Sequence, residues 1–122
     1  MFDFSSFIFP AAGEDTHHSY VVHRIGQRAT LPCGTHQLQN CDNINWLFYN
    51  FGHNQTQRLI NKSGKAISER LHFTDECSLV IKEVRIEDVG QYSCRDEGEH
   101  HRDHTNWFFG VITGEFLHLF MH

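Results

Sequence analysis

Asp88-Val89-Gly90-Gln91-Tyr92-Ser93-Cys94 is the stretch whose reading decides the fold. Gln91 to Arg95 alternates as a β-strand does, so Tyr92 and Cys94 share one face. Just upstream, Ile86-Glu87-Asp88 is the single helical hint in the chain, enough for one turn between two strands. Cys94 lies 61 residues after Cys33, and Trp46 stands thirteen after that first cysteine.

The same period of two continues on either side of this stretch. Tyr20-Val21-Val22-His23 is β-rich and ends at Gly26. Ala29, Leu31 and Cys33 alternate with Arg28, Thr30 and Pro32, which defines one buried face. In Ile44 to Phe51, Ile44, Trp46 and Phe48 share a face, and Gly52-His53-Asn54 turns the chain into Gln57 to Ile60. Arg70 to Phe73 alternates again, and Cys77, Leu79 and Ile81 form a further inward set closed by Val84. Phe116 to Met121 reads as the last strand. Eight or nine short strands in about a hundred residues predict an all-β sandwich of two antiparallel sheets.

Composition fits that class. The chain has 122 residues, with 39% hydrophobic, 13% aromatic and 20% charged side chains, as in one soluble globular domain. A formal net charge of −5 argues against a nucleic-acid partner held by phosphate contacts. No apolar run approaches the length that a membrane-spanning helix requires. Four cysteines without a CxxC pair point to disulfides in an oxidising compartment rather than to zinc, and four cysteines allow three connectivities. Residues 1–15, with Phe2, Phe4, Phe7, Ile8 and Phe9 ahead of Pro10-Ala11-Ala12-Gly13, read as a leader remnant or an N-terminal extension. Residues 16–122 read as the domain.

Cys33, Trp46 and the Asp88–Cys94 stretch together resemble the variable-type (V-set) domain of the immunoglobulin superfamily, over about residues 18–121. The resemblance implies a Cys33–Cys94 bridge between the sheets, with the Trp46 indole filling the volume beside it. It places Tyr92 at the tyrosine corner, where its hydroxyl bonds backbone upstream. It also pairs Arg70, opening strand D, with Asp88. Cys41, ending the B–C loop, and Cys77, opening strand E, lie at the same end of such a fold, which implies a second bridge, Cys41–Cys77. This extra pair, with Leu31-Pro32-Cys33, Cys77–Ile81 and Glu87–Arg95, is similar to V-type domains of bony-fish innate immune receptors. Those are the novel immune-type, polymeric-immunoglobulin-receptor-like and diverse immunoglobulin-domain receptors. One departure sets the chain apart from rearranging antigen receptors. Aligned through Gly114–Leu119, Val111-Ile112-Thr113-Gly114 stands where those receptors carry F-G-x-G.

The expected work of such a domain is binding, not catalysis; no cofactor is implied, and no G-x-S-x-G or comparable arrangement appears. His100, His101 and His104, beside Glu97, Glu99 and Asp103, read as a polar recognition loop rather than a metal site, because a flexible loop supplies no fixed coordination geometry. On strand C, Leu47 and Tyr49 are opposite in parity to Trp46 and are expected to face outward. Trp107 and Phe108 are expected at the end of the F–G loop, on the edge of the same face. With His101 they make up the expected contact set. Asn54-Gln55-Thr56 and Asn61-Lys62-Ser63 are N-glycosylation sequons, the first in the C–C′ turn and the second near C′–C″.

The resemblance thus implies the ligand-recognition ectodomain of a cell-surface immune receptor, or a secreted relative, binding through the face of strands G, F, C and C′ and the F–G loop. Its partner would be a protein on another cell or another immunoglobulin-type chain, with membrane attachment through segments outside this chain. Homophilic or V-to-V′ adhesion, through a homodimer of the same face, is the alternative within the binding class. Lipid capture between the loops is a second alternative.

Overall fold

Trp46, Leu79, Ile81, Phe109 and Val111 are fully buried around the Cys33–Cys94 bridge, and two sheets close over them. The computed structural model describes residues 7–10, 18–34, 41–61, 64–98 and 102–119. The larger sheet has seven strands: β1 (Phe7–Pro10), β2 (His18–Arg24), β9 (Arg102–Thr113), β8 (Gly90–Asp96), β4 (Ile44–Asn50) and β5 (Gln55–Arg58) in that order, with β10 (Phe116–His118) also paired to β9. The smaller sheet has three, β3 (Ala29–Leu31), β7 (Leu79–Ile81) and β6 (Leu71–Phe73), in that order. Pairing is antiparallel except between β2 and β9, which run parallel. In the strand letters used above, β3 is B, β4 is C, β5 is C′, β6 is D, β7 is E, β8 is F and β9 is G.

Alternation makes this architecture. Ala29 and Leu31 on β3 point inward with Thr30 exposed, and on β8 Gly90, Tyr92 and Cys94 are buried while Gln91 and Ser93 are less so. Gly90 is required by close approach: a Cβ there would stand 2.5 Å from the Tyr49 carbonyl oxygen and 2.6 Å from the Phe48 ring. The Trp46 indole N–H donates to the Cys77 carbonyl at 3.0 Å, so the one polar atom of this buried ring is satisfied. Cys33–Cys94 and Cys41–Cys77 are both bridged, each with Cα atoms 5.5 Å apart.

The Asp88 region locks the lower end of the sandwich. Ile86–Asp88 forms a single 3₁₀ turn. Asp88 Oδ1 and Oδ2 accept from Arg70 Nη2 and Nη1 at 2.8 and 2.9 Å, and Oδ2 also accepts from the Arg85 amide at 2.7 Å. Tyr92 Oη donates to the Asp88 carbonyl at 2.7 Å. Hydrogen bonding to Asp88 raises the Arg70 pKa above its ordinary value.

The structure adds one pairing and moves one strand assignment here. Phe7–Pro10, inside the stretch set apart as residues 1–15, pairs with β2 and forms an edge of the larger sheet. The last strand, β10, falls within Phe116–Met121 as expected, but strand G is the twelve-residue β9 before it, on which Trp107, Phe109 and Val111 alternate inward. Gly114, with φ of 58°, opens a two-residue turn with Glu115 that folds β10 back onto β9. Gly114 is therefore a hairpin glycine, and residues 107–109 belong to strand G rather than to the F–G loop.

Candidate functional site

The outward face of the larger sheet is set by the same parity that buries Trp46, Tyr92 and Phe109. Across the strands, Tyr49 on β4 lies opposite Gln91 on β8, Gln91 opposite Phe108 on β9, and Phe108 beside Tyr20 on β2. The Phe108 and Tyr20 rings stack at 5.0 Å. At the other edge, Tyr49 meets Phe51 edge-on at 4.6 Å. Tyr20 and Phe51 are each 37% exposed, while Tyr49 and Phe108 are half-buried. Between the two aromatic pairs lies a polar strip, where Asn106 Oδ1 accepts from Ser93 Oγ at 2.5 Å and from Gln91 Nε2 at 3.3 Å.

Above that row, toward the loops, sits a charged clasp. Arg58 Nη1 donates to Glu97 Oε2 at 2.8 Å, its Nη2 pairs with Oε1, and Asn45 Nδ2 donates to Oε1 at 3.2 Å. The Arg58 hydrogen bond holds the Glu97 carboxyl below its ordinary range, and Glu97 in turn raises the Arg58 pKa. Arg58, Glu97, Asn45, Asp42, Asn43 and Asn61 line a polar cleft of about 250 Å³ at this end.

The expected contact residues divide. Tyr49 and Phe108 lie on the outward face. Leu47 is outward in parity but only 8% exposed, which corrects the expectation of an accessible contact. Its cross-strand neighbours are Arg58 and Ser93, and the Arg58–Glu97 pair reaches over β4 from one side to the other. Trp107 is corrected outright. It is 6% exposed, packs in the core on the inner face of β9, and donates from Nε1 to the Pro32 carbonyl at 2.9 Å. His101, with His100 and Glu99, lies outside the described residues. Among the described residues no group of three or more His, Cys, Asp or Glu side chains is placed to hold a metal ion. Asn54 is exposed in the β4–β5 turn and its Oδ1 accepts the Tyr49 hydroxyl, which ties it to the outward face. Asn61 is exposed and its Oδ1 accepts the Lys65 amide at 3.0 Å.

Tyr20, Gln91, Ser93, Asn106, Arg58 and Glu97 complete the face without having been singled out as contacts. Parity with Val21 and Tyr92 marks Tyr20 and Gln91 as outward. The Arg58–Glu97 pair joins residues 39 apart, and no local pattern signals it.

No protein-family model and no curated protein sequence matches the chain. Solved structures do. The extracellular fragment of novel immune-type receptor 11 from Ictalurus punctatus is similar at a TM-score of 0.59 and 22% identity, over 79% of this chain and 97% of that one. The neural ectodermal development factor IMP-L2 is similar at 0.58 and 22%, over 81% of this chain and 43% of that one. The extracellular domain of the voltage-gated sodium channel beta4 subunit is similar at 0.58 and 18%, over 85% and 90%. With the two bridged sheets, the Trp46 core and the tyrosine corner, these likenesses define the chain as an immunoglobulin-type sandwich of the V class.

Proposed function

We propose that this chain is an extracellular recognition domain of a cell-surface immune receptor, binding a protein partner through the outward face of β2, β9, β8 and β4. One observation carries the reading: two aromatic pairs, Tyr20–Phe108 and Tyr49–Phe51, flank a hydrogen-bonded polar strip on a single sheet face. Exposed aromatics grouped around polar groups are what interface hot spots are made of. The scaffold beneath is held by two disulfides, so little ordering entropy is lost on contact. Likeness to a receptor fragment and to a channel-subunit ectodomain supports the extracellular setting. No helix among the described residues is long and apolar enough to cross a membrane. No enzymatic activity or cofactor forms part of this reading.

Fluorescent tetramers of the chain test it, since multivalency lifts a weak contact into detectable range. Staining of a defined cell type by the wild type, lost in Phe108→Ala with folding intact, supports the face. Staining that survives this substitution overturns it.

Self-pairing through the same face is the second reading. The beta4 ectodomain is described as forming parallel homodimers that explain its role in cell-cell adhesion. A dimer by light scattering that Phe108→Ala converts to monomer would favour this reading over a heterologous partner.

A further inference from the structure

We propose that Asn54 carries an N-linked glycan whose first sugar packs on the Tyr49–Phe51 aromatic pair, so that the sugar braces the β4–β5 turn and covers one half of the outward face. The reading of that face as a contact surface is the one given above. Occupancy and packing of the sugar stand independently of it.

Asn54-Gln55-Thr56 has the acceptor pattern, with all three residues exposed. Asn54 sits at the end of the Phe51–Asn54 turn with φ of 52°, a left-handed conformation that asparagine tolerates better than most residues. Its Oδ1 accepts the Tyr49 hydroxyl, and Tyr49 stands edge-on to Phe51 at 4.6 Å. The amide therefore lies at the rim of an aromatic platform. Attachment replaces one hydrogen of Asn54 Nδ2 and leaves Oδ1 as an acceptor, so the Tyr49 contact survives modification. An N-acetylglucosamine ring presents one face made largely of C–H groups, and an exposed aromatic ring is the surface against which such a face buries. Phe51, 37% exposed and three residues before Asn54 across the turn, offers that surface.

Asn61 lacks these features. Its side chain borders the polar cleft with Arg58, Glu97 and Asp42, and none of the residues lining that cleft is aromatic. Among the described residues that line this cleft, a glycan there finds no aromatic ring to pack on. With Asn54 occupied, the Tyr49 edge is shielded and the Tyr20–Phe108 edge is the half left open to a partner.

The test uses the full chain with Asn61→Gln, so that Asn54-Gln55-Thr56 is the remaining sequon. The protein is secreted from mammalian cells behind a supplied signal sequence and trimmed enzymatically to a single N-acetylglucosamine. The reference is the same chain refolded from bacteria, which carries no glycan. Peptide mass spectrometry should find the sugar on Asn54, and the sugar should raise Tm by about 3 °C. In a Phe51→Ala background, compared in the same two forms, the sugar should leave Tm unchanged. An unmodified Asn54, an unchanged Tm in the parent, or an equal gain without Phe51 each overturns the proposal. None of these readouts involves a binding partner, so failure of the contact face in the staining experiment leaves them intact.

Discussion

Arg58 and Glu97, 39 residues apart in sequence, are joined by a two-pronged ion pair that reaches across strand β4. Asn45 on β4 also donates to Glu97, and Asn45 and Leu47, the register partner of Arg58, are both buried on this outward face. The ion pair also pins the residue that follows strand β8 to strand β5, and so fixes where the F–G loop departs. An exposed pair is screened by water, so its worth lies in geometry more than in stability.

Replacing Arg58 by Ala should therefore cost little, under about 1 kcal/mol in urea unfolding. The clearer readout is Glu97 itself. Its carboxyl is held below the ordinary glutamate range chiefly by the Arg58 hydrogen bond. A depressed folded pKa contributes stability above the unfolded value, and that contribution is lost as the pH falls through the folded one. Carboxyl NMR titration should show Glu97 moving up toward its ordinary range in Arg58→Ala. An unchanged titration would mean that the clasp does not form in solution.

Trp107 and Phe108 are neighbours with opposite duties. Trp107 is in the core with its indole N–H satisfied by Pro32, so Trp107→Ala should cost about 3–5 kcal/mol and abolish binding only through unfolding. Phe108 faces outward against Tyr20, so Phe108→Ala should cost about 1 kcal/mol while removing the contact. Denaturation curves of the two variants, run together, separate these roles. Equal losses would place both residues in the core.

How far the sequence carried the fold is plain from these two residues. The inward set on β3, β7 and β8 was legible because period two, two cysteines and one tryptophan all agree on it. Strand β9 was not, because two stretches after Cys94 both alternate. Trp107 to Thr113 and Phe116 to Met121 each satisfy the strand pattern, and only the Gly114-Glu115 turn shows that Phe116–His118 pairs back onto Val111–Thr113. Parity placed Tyr49 outward correctly, and Leu47 too, yet parity says nothing about what lies on top. Leu47 is buried although outward in parity, and its register partner Arg58 comes from another strand, so what surrounds it is tertiary information.

The Cys41–Cys77 bridge closes a separation of 36 residues, and a loop of that length predicts a contribution of about 3–4 kcal/mol through the unfolded state. Cys77 also adopts φ of 69° and offers its carbonyl to the Trp46 indole, so the bridge anchors a turn that touches the centre of the core. The Cys41→Ser, Cys77→Ser double variant should stay folded on the Cys33–Cys94 bridge with an unfolding midpoint lowered accordingly. A change under about 1 kcal/mol would show that the bridge mostly constrains what is already ordered.

The tyrosine corner gives the last prediction, and its sign follows from burial. The Tyr92 hydroxyl lies in the core and donates to the Asp88 carbonyl at 2.7 Å. Burial first, and the nearby Asp88 charge second, push its pKa well above 10.0, the ordinary value, with Arg70 opposing. The unfolded chain releases this proton near pH 10 while the folded chain keeps it. Tyr92 therefore supports the fold below about pH 10, and that support drains away as the pH rises further. Tyr92→Phe should cost about 1–3 kcal/mol near neutrality, from the carbonyl left without its donor, but should flatten the alkaline loss. Urea midpoints measured from about pH 8 to pH 11 on both proteins decide it. If the two curves fall in parallel, some other group drives the alkaline instability, and the Tyr92 proton is no more tightly held in the fold than in the unfolded chain.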